Sequence, residues 1–320
     1  MIPYKIEETL AMQSYAAVCY AKDTGETNNS SPVGKPLHVV KFSHQFEDVA
    51  DTSDALRVEL DLFSTRSSDF FVPALTLHQE KNRKALRFQT IESTNLGKIY
   101  TELSRRGVLL SENTIAAMFL NLLEEAVLLQ KSYSKCSYKY VSIFITAGIG
   151  NLFVQPTGSL SCTGVSEILP LDQQYLSPVW STLTPPEMII PGKPVSHQTD
   201  VYSAGAMLFH LLTGHLLFND RMENSRDKIL SRMYRSLHPI PSDVRGDASV
   251  FDAICLKCLQ FSPEDRYANL EELALDIKKQ FEIDDLFEYQ SELKQIYKDV
   301  NRSLNTSELE EESVLAYSSF

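Results

Sequence analysis

The chain has 320 residues, 43% of them hydrophobic and 22% charged, which is the composition of an ordinary globular protein. Its formal net charge of -12 at pH 7 argues against nucleic acid and anionic membrane surfaces as general partners. The longest mostly apolar stretch, residues 141–154, is too short to cross a bilayer, so the sequence predicts no membrane span.

The first part of the chain, up to residue 96, predicts a small sheet with one helix. β-type residues with partial alternation indicate strands in YKIEETLA, SYAAVCYA, LHVVKF, FVPALTL and KALRFQTI. A helix is predicted over residues 51–62, where alanine, valine and leucine supply the apolar contacts.

The rest of the chain has a helical pattern. Residues 96–107 end on a glycine of the kind that stops helices, and Ser111 is a predicted N-cap for the helix that follows it. Residues 200–214 are apolar almost all round, which predicts a buried helix closed by Gly214. Further amphipathic helices are predicted over residues 249–260 and 269–282. A β-rich front followed by a helical back indicates an α+β fold with two lobes.

The C-terminal residues have a pattern of their own. Residues 283–304 carry apolar side chains at helical spacing, which fits either a helix packed on its own domain or a docking helix for a partner. Both interpretations stay open. Residues 305–320 are acidic and rich in serine, which predicts a mobile tail.

The five cysteines are few and scattered, which favours a reducing compartment. Cys255 and Cys258 form a C-x-x-C pair, but no second pair of cysteines or histidines follows at ligand spacing. We therefore interpret them as buried helix residues and predict no metal site.

Three short motifs stand in order in the C-terminal half. PPE at residues 185–187 matches A-P-E, residues 200–205 match D-x-[YW]-S-x-G, and Arg266 stands in SPEDRY. In this order and spacing they resemble the lower lobe of protein kinases, and most of all the bacterial serine/threonine kinases of eukaryotic type. The resemblance implies structural roles for Glu187, Asp200 and Arg266, with Arg266 paired to Glu187.

The front half fits the same template. Lys41 lies where the lysine of the V-A-I-K motif belongs, and Glu59 lies where its partner on the neighbouring helix belongs. In kinases this carboxylate holds the lysine towards the nucleotide phosphates; a solvated surface charge is the alternative for Glu59. The resemblance covers residues 4–282. It implies a two-lobed protein-kinase-like α+β fold with an N-lobe at 1–96 and a C-lobe at 97–282.

The carboxylates that phosphoryl transfer needs are missing. One such group orients the attacking hydroxyl and another holds Mg²⁺. In the resembled family both lie in the region that corresponds to residues 126–166, which here hold no Asp or Glu. The degenerate positions are Phe144, Ile145 and Thr146 in place of H-R-D, and Gly164, Val165 and Ser166 in place of D-F-G. Gly148 replaces the catalytic-loop lysine and only Asn151 is retained, so no catalytic residue is predicted.

The glycine-rich loop of the family is altered as well. LAMQSYAAV at residues 10–18 has Ala11, Gln13 and Ala16 in place of three glycines. Glycine lets the backbone approach phosphates closely, whereas Gln13 projects a side chain there. The pattern predicts a nucleotide pocket that is filled, independent of metal, or unused.

Three polar residues of the family site remain, namely Lys41, Glu59 and Asn151. They form either a vestigial nucleotide site or a cluster whose members satisfy one another. We therefore expect no cofactor, and weak metal-independent ATP binding stays open as an alternative.

The sequence favours a pseudokinase, a kinase-fold protein that acts by binding or regulating a protein partner, such as an active kinase or its substrate. The first alternative is a serine/threonine kinase with displaced chemistry, for which Glu167 and Asp172 are the nearby acids. The second is a purely structural module. No classical secretion signal is visible at the N-terminus. A bacterial cytoplasm is the expected location, and delivery into a host cell stays open.

Overall fold

A computed structural model describes residues 2–13, 16–24, 38–43, 55–64, 68–81, 83–134, 139–145, 148–177, 182–218, 230–231, 233–235, 238–247, 249–281 and 289–317. The N-terminal lobe is built on an antiparallel sheet of strands β1 (Tyr4–Met12), β2 (Ala16–Asp23), β3 (His38–Ser43), β4 (Ala74–Glu80) and β5 (Arg83–Phe88). The strand order is β1-β2-β3-β5-β4. Helix α1 (Ala55–Phe63) packs against this sheet and buries Leu56 and Phe63.

The C-terminal lobe is mainly helical. Its helices include α2 (Leu96–Arg106), α3 (Glu112–Ser134), α4 (His197–Thr213), α5 (Pro241–Arg245), α6 (Phe251–Cys258), α7 (Leu270–Phe281) and α8 (Gln290–Tyr317). Helix α2 ends at Gly107 and α4 ends at Gly214, both in the left-handed conformation. The Ser111 hydroxyl accepts from the Thr114 backbone N–H at 3.2 Å, as expected of an N-cap. No helix in the described ranges combines the length and apolarity that a bilayer crossing requires.

Short strands lie where the lobes meet. They are β6 (Thr94–Asn95), β7 (Lys139–Ser142), β8 (Leu152–Val154), β9 (Leu160–Cys162) and β10 (Glu167–Pro170). Strands β6, β8 and β9 form one small sheet, and β7 pairs with β10. A 3₁₀ turn, Gly148–Asn151, leads directly into β8. These strands fix the position of the loop that resembles a kinase catalytic loop.

The architecture confirms the predicted α+β class with a β-rich front lobe and a helical back lobe. Helix α4 is buried on nearly all sides, as its apolar sequence predicts. The helix predicted over residues 51–62 begins at Ala55 in the structure, and residues 51–54 lie outside the described ranges.

The C-terminal helix differs from its prediction. It was expected over residues 283–304, with a mobile tail at 305–320, but α8 continues without a break to Tyr317. The helix is therefore longer at its C-terminal end than predicted, and the mobility of residues 305–320 stays a prediction. Glutamate, leucine and alanine are strong helix formers, which favours this extension. Residues 282–288 and 318–320 lie outside the described ranges.

The first half of α8 packs on its own domain. Leu293 and Val300 are buried in the main core. The Thr94 hydroxyl donates to Asn301 Oδ1 at 2.9 Å, and the Ser111 hydroxyl donates to Glu292 Oε2 at 2.6 Å. Of the two interpretations that the sequence left open, intramolecular packing therefore describes residues 290–303.

Candidate functional site: a filled interlobe cleft

The centre of the site is a buried ion pair between the sheet and α1. Lys41 Nζ lies 2.7 Å from Glu59 Oε2 and 2.9 Å from Glu59 Oε1. Both side chains are fully buried, so the alternative of Glu59 as a solvated surface charge does not hold. A buried charge of either sign needs its partner, because desolvation of an unpaired ion is costly.

Lys41 also reaches across to the C-terminal lobe, because its Nζ donates to the Val165 carbonyl at 2.7 Å. The Val165 backbone N–H in turn donates to Glu59 Oε2 at 3.2 Å. Both partners of the ion pair are thereby bonded to the backbone of the segment that stands in place of D-F-G.

The Gln13 side chain also bridges the two lobes. It follows directly after β1 and its side chain is fully buried. Its Nε2 donates to Asn151 Oδ1 at 3.2 Å and to the Val165 carbonyl at 3.1 Å. The sequence predicted that a side chain at this position would project towards the phosphate site, and the structure places the amide between the two lobes.

The 3₁₀ turn Gly148–Asn151 packs closely against β1. A Cβ built at Gly150 would lie 2.5 Å from the Ala11 Cβ and 2.8 Å from the Leu10 carbonyl oxygen. Asn151, at the end of this turn, is fully buried and its Nδ2 lies 3.5 Å from the Ser166 hydroxyl. Both polar atoms of the Asn151 amide therefore lie against protein groups, Oδ1 against Gln13 and Nδ2 against Ser166.

Gly164 occupies the position where the family has its metal-binding aspartate. Its φ of +72° lies in the left-handed region that favours glycine. A Cβ built there would lie 1.8 Å from Glu59 Oε2 and 2.9 Å from Lys41 Nζ. A carboxylate at this position is incompatible with the observed placement of the Lys41–Glu59 pair.

The positions that replace H-R-D are apolar and buried. The Phe144 ring lies against Phe119 with ring centroids 6.2 Å apart, and Ile145 packs in a small cluster with Leu169, Met188 and Val195. Thr146, which stands at the position of the catalytic base, lies outside the described residues. Phe144 and Ile145 therefore pack in the interior of the C-terminal lobe.

The backbone of this loop is held through Ser142 and Asp200. The Ser142 hydroxyl accepts from the backbone N–H groups of Phe144 at 3.0 Å and Ile145 at 3.2 Å, and it donates to Asp200 Oδ1. Gln130 Nε2 donates to Asp200 Oδ2 at 2.7 Å. Asp200, in the first turn of the buried helix α4, thus holds this loop through Ser142.

Glu187 and Arg266 form a second buried ion pair, far along the chain from the first. The guanidinium of Arg266 binds both carboxylate oxygens of Glu187, at 2.8 and 3.0 Å, and both side chains are fully buried. Arg266 also donates to the carbonyls of Gln198, Gln260 and Phe261. This bidentate arrangement ties the PPE element to the segment before α7.

Sequence reasoning missed an aromatic contact between the lobes. Tyr20 of β2 lies edge-on to Phe153 of β8, with ring centroids 6.2 Å apart, and both rings are buried. Burial raises the pKa of the Tyr20 hydroxyl to about 12. The available signal was that Tyr20 follows Val18 by two residues and shares its sheet face, which is the face that meets the C-terminal lobe.

The acids considered for displaced chemistry are not brought together. Glu167 is buried within β10, whereas Asp172 is exposed beyond the end of that strand with φ +59°. Within the described ranges, no three His, Cys, Asp or Glu side chains are grouped as a metal ion would require.

The cysteine pair serves packing. Cys255 and Cys258 are free and buried in α6, and burial raises the pKa of both thiols. A Cβ at Gly205 of α4 would lie 2.3 Å from the Cys258 Cβ. The two helices therefore approach each other through this glycine and this cysteine.

No protein-family model matches the chain. Part of it is similar to the serine/threonine-protein kinase PknB of Mycobacterium tuberculosis, with 33% identity over 108 residues. That stretch is 32% of this chain and 15% of the relative. Pkn1 of Myxococcus xanthus is 32% identical over 89 residues, which are 27% of this chain and 13% of the relative. The similarity thus spans a small part of these relatives.

Solved structures extend the likeness to nearly the whole domain. The PknI kinase domain of Mycobacterium tuberculosis superposes with a TM-score of 0.57 at 12% identity, covering 87% of this chain and 96% of that domain. A second crystal structure of that domain gives a TM-score of 0.57 at 13% identity, covering 88% and 97%. The chain therefore has a protein-kinase-like fold and, over about a third of its length, is homologous to bacterial serine/threonine kinases.

Proposed function

We propose that this protein is a pseudokinase, which acts by binding or regulating another protein and does not transfer phosphate. The proposed partner is an active kinase or a substrate of one. No cofactor is required for this role. The observation that carries the proposal is the buried Gln13 amide, which joins the two lobes where the family holds nucleotide phosphates.

A magnesium nucleotide does not fit the residues that surround this cleft. The Val165 carbonyl already accepts from Lys41 and from Gln13, and Asn151 Oδ1 accepts from Gln13. Lys41 would have to give up a protein acceptor to donate to a phosphate, and the Val165 carbonyl or Asn151 Oδ1 would have to give up a protein donor to accept from a metal-bound water. The sequence left open a filled cleft or weak metal-independent ATP binding, and these contacts support the filled cleft.

The chemistry of the loop supports the same proposal. Residues 126–166 offer no carboxylate to orient a hydroxyl or hold a metal, and the Gly164 position has no room for one beside Glu59. Loss of catalytic groups that act as a unit commonly lowers rates by roughly 10³ to 10⁶. Any residual transfer would therefore be slow.

The segment that ends at the PPE element corresponds to the activation segment of kinases, and apolar contacts lie at both of its ends. In kinases this segment is often ordered when a phosphorylated residue pairs with arginine. Here Ile145 stands at the position of the H-R-D arginine and packs with Leu169, Met188 and Val195. A binding surface in this region would be constant and independent of phosphorylation, which suits a scaffold.

A second candidate function is a serine/threonine kinase with displaced chemistry. The favouring observation is the Lys41–Glu59 pair, which is intact at 2.7 Å although the neighbouring motifs are lost. On this alternative, acids from elsewhere in the chain or from a partner would hold the metal.

Transfer of labelled phosphate from ATP, with Mg²⁺ or Mn²⁺, separates the two candidates. The purified protein is compared with Lys41→Ala and with the exposed surface variant Lys22→Ala as control. A pseudokinase gives no labelling in any of the three proteins. Robust labelling that is lost in Lys41→Ala and kept in Lys22→Ala would overturn the proposal and establish the kinase.

A further inference from the structure

The helical lobe exposes a leucine on each of two neighbouring helices, α3 and α7. Leu128 of α3 is 54% exposed and Leu275 of α7 is 67% exposed. An exposed leucine alone is ordinary, but exposed apolar groups that adjoin each other and are framed by charges are characteristic of interfaces.

Ion pairs between the two helices frame these leucines on both sides. Lys131 of α3 pairs with Glu271 of α7, and Lys278 of α7 pairs with Glu124 of α3 at 2.5 Å. Each helix thus carries an acid, a leucine and a lysine at positions i, i+4 and i+7, which lie on one helix face. The two pairings show that the helices run antiparallel, so the leucines lie between the ion pairs.

This set of six residues, here called the α3–α7 face, is complementary to itself. Consider a second copy turned by 180° about an axis that lies in the face and runs along the helices. Its α3 then covers the α7 of the first copy. Lys131 meets Glu271, Glu124 meets Lys278, and Leu128 meets Leu275. Every contact joins opposite charges or two apolar groups.

A twofold axis in the face but across the helices also gives a complementary arrangement. In that case each helix covers its own counterpart in reverse. Lys131 then meets Glu124 of the other copy, and Glu271 meets Lys278. Two antiparallel helices with the same acid, leucine and lysine order therefore match themselves in both arrangements.

We propose that the α3–α7 face binds a second copy of this chain and forms a twofold symmetric dimer. The proposal does not depend on whether the protein transfers phosphate. The shared helix length is set by α7, whose 12 residues span about 18 Å. An interface of this size is at the small end for specific association, and we expect dissociation in the micromolar range, on the order of 10 µM.

Sedimentation equilibrium of the full chain at about 1 to 100 µM tests the proposal. The average mass of the natural protein should rise with concentration from 36.2 kDa, the mass of one chain, towards twice that value. The double variant Leu128→Asp and Leu275→Asp should stay at the mass of one chain over the whole range. Leu75→Asp, at a leucine of β4 that is 47% exposed, is the matched control and should associate like the natural protein.

A charge exchange distinguishes the two axes. Lys131→Glu combined with Glu271→Lys keeps the ion pair within each chain. Association should persist if the axis runs along the helices, and should be lost if it runs across them, where like charges would meet. A natural protein that remains monomeric at about 100 µM, or a dimer that persists in the double Asp variant, would overturn the proposal.

Discussion

Two ion pairs among the described residues are fully buried, and their surroundings differ. Glu187–Arg266 lies in a part of the helical lobe whose motifs match the kinase family, and its guanidinium is supported by three further carbonyls. Lys41–Glu59 lies between the lobes, where both partners bond to the Val165 backbone and the Gln13 amide donates to the same Val165 carbonyl. The first pair connects the PPE element to the segment before α7, whereas the second lies buried between the sheet, α1 and the Val165 backbone. In both places the fold keeps its buried charges paired.

The largest expected effect belongs to the structural pair. Arg266→Ala leaves the Glu187 carboxylate buried without its partner, and breaking a buried pair in this way costs about 3–5 kcal/mol. We expect the free energy of unfolding, measured by urea denaturation, to fall by that amount. Arg105→Ala is the control, because Arg105 is 67% exposed in its pair with Glu102 and should contribute less than about 1 kcal/mol. Equal losses in the two variants would contradict the assigned role of Arg266.

The next effect tests how tightly the cleft is filled. Gly164→Ala places a methyl group against the Lys41–Glu59 pair and should destabilise the protein by about 2–4 kcal/mol, through overlap and backbone strain together. Gly107→Ala is the matched control, since Gly107 has a φ of +66° and a Cβ there would meet nothing within 4 Å. Urea denaturation of both variants gives the difference, which reports the overlap alone. A difference near zero would show that the ion pair can move aside.

A smaller effect is expected at the amide that joins the lobes. Gln13→Ala removes two buried hydrogen bonds and should lower the free energy of unfolding by about 1–3 kcal/mol. Gln260→Ala is the control, because the Gln260 amide donates to the Leu256 carbonyl at the surface. Its loss should stay within about 0.5 kcal/mol. If both glutamines prove equally dispensable, Gln13 does not hold the cleft closed.

The smallest effect concerns the largely buried Glu102 carboxylate, which links α2 to α8. Hydrogen bonds from Arg105 and then Arg106 and Ser303 lower the pKa of Glu102 to about 2, from 4.5. The stabilisation is therefore complete above about pH 4.5 and is lost as the pH falls towards 2. Because the arginines are partly exposed, the contribution should be below about 1 kcal/mol. Unfolding free energies between these pH values should fall less steeply in Glu102→Gln, and an unchanged slope would contradict the prediction.

Local patterns in the sequence predicted most of the longer helices and the strands of the N-terminal sheet. The apolar run of residues 200–214 and the glycines that end α2 and α4 act within a few turns of chain, and the structure reproduces them. The last helix was predicted to end at residue 304 and continues to Tyr317, because glutamate and leucine favour helix formation there.

The arrangement of the cleft depends on distant residues. Sequence motifs placed Lys41 and Glu59 in the same site, but local patterns hold no information that joins Gln13 to Asn151 or Tyr20 to Phe153. Those contacts arise only when the sheet is packed on the helical lobe. The missing acids and the projection of the Gln13 side chain could be predicted from the sequence, whereas the hydrogen bonds that Gln13 makes could not.

The central claim is that the protein's own side chains fill the place of the magnesium nucleotide. The most direct measurement is a calorimetric titration of the natural protein with ATP up to about 1 mM, with and without Mg²⁺, accompanied by the melting temperature. The account predicts no saturable heat and no rise in melting temperature under either condition. Saturable binding that raises the melting temperature and requires Mg²⁺ would contradict it.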